Sequence, residues 1–188
     1  LLVSRRALDI DGVGSIVAEK LVERGLVQSV LDLFTLREEQ LATLNLGTEN
    51  EPRILGAKNA AKIVETARRA RTAPLHRWIF ALGIRQVGES AAKELARLHR
   101  DFRELSRSSI LLELRTLATG QRKDNNDLLA EYGISSEVGP TVAGSVVAFF
   151  ESNAGLSLLE RLASLGIDPQ SSNYDPVSVR STGPDGAG

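Results

Sequence analysis

The sixteen residues ALGIRQVGESAAKELA, residues 81–96, decide the fold. A short apolar run ends at Gly83, a tight turn follows with an aliphatic residue in front of a glycine, Val87-Gly88, and an alanine-rich helix begins at once. The arrangement occurs three more times: ALDIDGVGSIVAEKLV (7–22) turns at Gly12-Val13-Gly14, RILGAKNAAKIV (53–64) at Gly56, and YGISSEVGPTVAGSVV (132–147) at Val138-Gly139. Each time a small residue stands four or five positions after the last glycine: Ala18, Ala60 or Ala61, Ala92 and Ala143. A side chain of that size lets the two helices of a unit pack closely. The repeat is a helical hairpin used four times, not a solenoid.

Helical periodicity surrounds these turns. Ala60, Ile63, Val64 and Ala67 form an i, i+3, i+4, i+7 stripe within residues 57–71, and Ala91, Ala92, Leu95 and Ala96 repeat it over 89–99. Val142, Ala143, Val146, Val147 and Phe150 do so over 140–151, where Pro140 suits a first helical position. Thr35 followed by Glu38 reads as a capping box that starts a short helix near Leu36. Ser152 or Asn153 caps a last helix that Gly166 ends. Residues 45–52 and 118–127 are polar and without apolar period, so both read as insertions between helices. The pattern predicts an all-α chain of two lobes, one hairpin pair in residues 1–72 and a second in 73–170. From Ser171 to Gly188 the pattern stops and a disordered linker is expected. That tail, and a start at Leu1 without methionine, read as a segment of something longer.

With 42% hydrophobic residues but only 4% aromatic ones, the core should be aliphatic. The chain has no run of about eighteen apolar residues and no charged-then-apolar leader. A membrane partner is therefore not expected, and the cytoplasm, beside the nucleoid, is the expected compartment. Zero cysteines exclude disulfides and thiolate metal sites, and His76 and His99 alone do not make a zinc site, so no bound metal is expected. The net charge of −1 is unlike that of most nucleic-acid binders, yet it is unevenly spread. Arg53 to Arg107 holds 13 Lys/Arg against 5 Asp/Glu, and both flanks are acidic. A basic middle suits a phosphate-facing surface, although Arg68, Arg69 and Arg71 read equally as a solvated helix face.

The turns themselves carry the chemistry. A helix starts with backbone N–H groups that lack an intrahelical partner, and its dipole puts partial positive charge at the same end. Glycine there permits positive φ and removes the Cβ that would hold a phosphate off, while the aliphatic neighbour plugs into the core. Backbone donors read phosphate and sugar rather than bases, so binding should be indifferent to sequence. The second unit is the weakest, because Arg53 or Ile54 stands where an earlier glycine is expected.

Three stretches together, VSRRALDIDGVG (3–14), TAPLHRWIFALGIRQVGESAAKELA (72–96) and VGPTVAGSVVAFFESNAGLSLLERLASLGI (138–167), resemble the helix-hairpin-helix domain of bacterial NAD-dependent DNA ligases. The resemblance runs from about residue 3 to 170 and is most specific from Thr72 to Leu98. It departs at residues 45–52 and between Ser106 and Glu131. It implies four tandem helix-hairpin-helix motifs in a parent that seals nicks in replication and repair through a lysine-linked adenylate drawn from NAD. The NAD, magnesium and zinc of that parent belong to domains preceding Leu1, and a BRCT domain would follow Gly188. This chain would then be a monomeric, non-catalytic module without a cofactor. Its partners would be nicked duplex DNA, gripped along the minor groove, and the other domains of the parent. Gly12, Gly14, Gly56, Gly88 and Gly139, with Val13, Val87 and Val138, carry over as contacts.

Arg53, Lys58, Arg85 and Lys93 lie in or beside the hairpins and can pair with phosphate or remain solvated. Ser15, Ser90 and Thr141 follow turn glycines, where a hydroxyl can cap the helix or touch phosphate; Thr141 joins the candidate contacts. Trp78 and Phe80 read as core rather than as a base-stacking platform. Two rivals stand beside DNA binding: a base-excision glycosylase, which the small aromatic content opposes, and a protein-interaction scaffold of a repair protein, in which the turns only pack.

Overall fold

A computed structural model describes residues 8–118 and 120–177 of the chain. Among them run α1 (Ser15–Glu23), α2 (Glu38–Ala42), α3 (Ala57–Ala70), α4 (Leu75–Ala81), α5 (Glu89–Leu98), α6 (Phe102–Ser106), α7 (Ser109–Leu114), α8 (Pro140–Glu151) and α9 (Asn153–Ser164), with 3-10 turns at Val30–Thr35, Lys123–Asn125 and Ala130–Tyr132. The described residues contain a single β-bridge, Asn45 to Ile54, and no strand, so the fold is all-α.

The stripes read from sequence face the core. Ala60, Ile63, Ala67 and Ala70 of α3 are buried, as are Ala91, Ala92, Leu95, Ala96 and Leu98 of α5 and Ala143, Val146 and Phe150 of α8. Three helical pairs result, α2 on α3, α4 on α5 and α7 on α8, with α9 on α8. Trp78 is fully buried and stacks on Phe34 at 5.5 Å between ring centroids, which makes it core. The last helix behaves as its ends predict. The Ser152 hydroxyl accepts from the Gly155 amide at 3.2 Å, and Gly166, at φ +67°, closes it with Ile167 N–H donating to the Leu162 carbonyl at 2.9 Å. Arg161 of α9 then reaches Asp32 at 2.7 Å and the Ser29 hydroxyl at 2.6 Å, tying the C-terminal helix to the N-terminal half.

Three expectations are revised. The short helix α2 starts at Glu38 rather than near Leu36, because Thr35 still closes the Val30–Thr35 3-10 turn and Leu36 and Arg37 after it are extended. Gln40 then accepts from the Arg37 amide at 3.0 Å. The first hairpin has no helix before its turn among the described residues; the chain reaches Gly12 as a turn, and residues 1–7 lie outside the description. In the fourth hairpin the residues just before the turn form only 3-10 turns, and the helix that packs on α8 is α7, on the far side of the excursion. Both insertions are anchored. The Asn45 side chain accepts from the Gly47 and Arg53 amides at 2.9 and 2.8 Å, and Leu55 N–H donates to the Leu44 carbonyl, so the chain rejoins the core where it left. In the second excursion, Leu129 is buried and the Asn126 amide donates to Glu113 at 2.8 Å.

Residues 171–177, the first part of the stretch expected to be a linker, lie along α5; the rest of it, 178–188, lies outside the described residues. The reason is an unfinished helix end. No glycine closes α5, so its last carbonyls need partners from elsewhere. The Ser171 hydroxyl takes the Ala96 carbonyl at 2.5 Å, the Asp175 amide takes that of Arg97 at 2.9 Å, and His99 Nδ1 takes that of Leu95 at 2.8 Å. Hydrogen bonds of this kind leave no apolar period to read.

His99 also gives a pH prediction. It is 3% exposed, and its Nε2 accepts from the Ser108 hydroxyl at 2.6 Å while Ser108 caps α7. Burial holds the imidazole below its ordinary value. The folded state therefore favours the neutral ring, and the stability this contributes is complete above about pH 6.5 and lost as pH falls below it. Partial burial, with Lys93 and Arg77, shifts His76 the same way. Thermal melts should show a midpoint that drops between about pH 7 and pH 5. His99→Gln, which still reaches Ser108 but does not titrate, should show a smaller drop; an equal drop would remove His99 from the account.

Candidate nucleic-acid interface

Four of the helices begin on a glycine: α1 on Gly14, α3 on Gly56, α5 on Gly88 and α8 on Gly139. None of the four has a side-chain cap. The contrast lies within the same chain, where Asp101, Ser108 and Ser152 each cap α6, α7 and α9 by accepting a backbone N–H. The capping role considered for Ser15, Ser90 and Thr141 is not taken up, since each lies one or two residues past a glycine that is itself the cap position. The first amide to find an intrahelical partner is that of the small residue four positions on. Ala18, Ala60, Ala92 and Ala143 donate to the carbonyls of Gly14, Gly56, Gly88 and Gly139 at 3.0 Å or less. Ala60, not Ala61, is thus the second hairpin's packing residue, and Ala60, Ala92 and Ala143 are all fully buried. The amides ahead of these alanines are the uncapped donors of each helix start.

The backbone at these glycines corrects one part of the expectation. Gly14 (φ −80°, ψ −179°), Gly88 (−85°, −176°) and Gly139 (−109°, −173°) share one extended conformation that any residue can adopt. Positive φ occurs instead at Gly56 (+82°) and, in turns one and three, two residues earlier, at Gly12 (+91°) and at Gln86 (+65°), a non-glycine held at a cost of about 1 kcal/mol. What glycine supplies at positions 14, 56, 88 and 139 is space: a Cβ built there meets nothing within 4 Å. The corners are open, and the residue before each is turned inward. Leu55, Val87 and Val138 are buried and Val13 is half-buried.

The turns are held in pairs. Turn one rests on the helix of turn two: the Thr66 hydroxyl of α3 donates to the Asp11 carbonyl at 3.2 Å, and a Cβ on Gly12 would stand 2.9 Å from Ile63 Cγ1. Turn four rests on the helix of turn three: Glu94 of α5 accepts from the Ser135 amide at 2.9 Å, and Arg97 donates to the Tyr132 carbonyl at 2.8 Å. Burial raises the Glu94 carboxyl, but the Arg97 guanidinium and the Ser135 amide outweigh it and hold the group ionised below its ordinary range. Sequence reasoning missed Glu94, since a Glu three residues before an Arg on a helix looks like a surface pair.

Of the side chains proposed as phosphate partners, Arg53, Lys58 and Arg85 are exposed and form no ion pair among the described residues. Lys93 is exposed but lies 3.4 Å from Glu89 on its own helix. Thr141 is exposed in the first turn of α8. Arg68 and Arg69 both hold Glu65 at 2.9 Å, and those bonds bring its carboxyl down to about 2, so this pair is a solvated helix face.

Residues 77–117 match the family described as the helix-hairpin-helix motif. Over 91% of its length the chain is 36% identical to a DNA ligase of Akkermansia muciniphila, covering 28% of that protein. Over 99% it is 32% identical to a DNA ligase of Synechococcus sp. (strain CC9605), covering 24%, and over 88% it is 33% identical to one of Halothermothrix orenii, covering 21%. The chain thus spans about a quarter of the length of the curated relatives it matches.

Proposed function

We infer that this chain is a helix-hairpin-helix segment of a DNA ligase and that it holds duplex DNA by the phosphate backbone. The observation that carries this is the division of labour among helix starts. Asp101, Ser108 and Ser152 cap α6, α7 and α9, and although α2 and α4 also lack a side-chain cap, the Leu75 amide that opens α4 donates to the Gln170 carbonyl at 2.9 Å; only the four hairpin helices set their first amides behind open glycine corners. A phosphate oxygen accepts from such amides and meets the positive end of the helix dipole. Because the donors are backbone atoms, the grip is indifferent to base sequence. The finer parts of the reading are that the segment follows the minor groove of nicked duplex, and that the parent enzyme draws its adenylate from NAD in replication and repair. They rest on the sequence resemblance of residues 72–98.

With net charge −1 and neutral donors, the segment alone binds weakly, with a dissociation constant of roughly 10⁻⁴ to 10⁻⁶ M. Arg53, Lys58, Arg85 and Lys93 make it salt-sensitive: four displaced counterions give a slope of about −3.6, a loss of about a hundredfold between about 50 and 200 mM salt. Anisotropy titrations on nicked duplex, intact duplex and single strands in parallel test both statements. Binding to both duplexes above single strands with a steep salt slope is the expected result. No binding at low salt would favour a protein-interaction scaffold, and tight, salt-insensitive or sequence-selective binding would contradict the amide seats.

A further inference from the structure

The fourth turn is the poorest phosphate seat of the four on its own residues. Pro140 at the first helical position has no N–H, so one donor is missing. Glu137, exposed, puts a carboxylate at the position held by Gly12 in turn one and Gln86 in turn three. Yet this turn has something the others lack. Lys123, from the excursion between α7 and α8, brings its ammonium beneath the turn and donates to the carbonyls of Ser135 and, at 3.1 Å, Val138. The excursion is pinned for this by Leu129 in the core and by Asn126 on Glu113. A lysine with two backbone carbonyl partners and, among the described residues, no carboxylate in ion-pair distance is not arranged as a surface ion pair.

We propose that Lys123 is the positioning residue of the fourth seat: it fixes the Ser135–Gly139 turn from behind and sets a positive charge under the Gly139 corner, replacing the donor that Pro140 removes. The ligand is the duplex phosphate already assigned to the turn, so the inference rests on that reading. With the Val138 carbonyl held by Lys123 and no N–H on Pro140, the donors left at this helix start are the amides of Thr141 and Val142. Partial burial lowers the Lys123 pKa, while Glu94 and Asp124 favour the charged form.

The test is a mutant cycle on the whole chain with intact duplex at low salt. Lys123→Met is expected to weaken binding about fivefold, the worth of one ordinary hydrogen bond, and Lys123→Arg to restore most of it. In a Gly139→Val background, where the corner is already blocked, Lys123→Met should add nothing. A merely structural lysine would cost the same in both backgrounds, and that result, or no loss from Lys123→Met, overturns the proposal. Gly88→Val at the third turn is the control. If it weakens binding while Lys123→Met does not, only this inference fails; if neither does, the phosphate-seat reading itself fails.

Discussion

Replacing Gly88 with valine lowers duplex affinity about tenfold and leaves the fold intact. Gly88 sits at φ −85°, where valine meets no backbone penalty, and a Cβ there meets nothing within 4 Å. The substitution therefore adds bulk only in front of the bare amides of α5. A dissociation constant near 10⁻⁵ M corresponds to roughly 7 kcal/mol, and shared over four turns this leaves about 1.7 kcal/mol for each, a factor of roughly fifteen, most of which a blocked seat loses. Arg69→Ala is the matched control: Arg69 is bonded to Glu65 in its own helix and leaves affinity within about twofold. Anisotropy titration gives both affinities and a thermal melt checks the fold. Equal losses from the two variants would count against amide seats and in favour of diffuse charge.

The second large effect is on stability. Gly155→Ala destabilises the chain by about 3 kcal/mol, at the upper end of what overpacking costs. Gly155 is buried in the first turn of α9, and a Cβ there would lie 2.1 Å from the Phe149 carbonyl oxygen and 2.8 Å from Phe150 Cα. These are backbone atoms that cannot rotate away, so α9 must shift as a whole. That shift strains the contact of Arg161 with Asp32, which joins the two halves of the chain. For a domain of this size the melting midpoint falls by roughly 6–12 °C. A fall of less than about 2 °C would mean that α9 is free to slide and does not brace the fold.

The two substitutions differ for a reason that the glycine pattern alone hides. All of these glycines read alike in the chain, but Gly155 is needed for close helix packing, Gly12 for a positive φ against Ile63, and Gly88 for an open corner. The sequence made the hairpin turns, the buried alanines and the stripes of α3, α5 and α8 legible, because these depend on neighbours within two turns of helix. The pairing of α7 with α8 across the excursion was not legible, nor was the docking of residues 171–177 on α5. Both are settled by contacts between residues distant in the chain. Glu94 and Lys123 were hidden for the same reason: one looked like half of a surface ion pair, the other like a charge in a polar loop, and each is fixed by turn four. The start of α2 was misplaced because Thr35 belongs to the preceding 3-10 turn, which places extended Leu36 and Arg37 ahead of the helix.

Backbone amide resonances followed by ¹⁵N NMR during titration with duplex DNA test the central claim most directly. The account predicts progressive shifts at Ser15, Ile16, Lys58, Asn59, Ser90, Thr141 and Val142, at the glycine helix starts. Glu104, Leu111 and Gly155, whose amides already donate to caps, should stay unmoved. Shifts confined to the arginine face of α3, or spread equally over capped and uncapped helix starts, would contradict it.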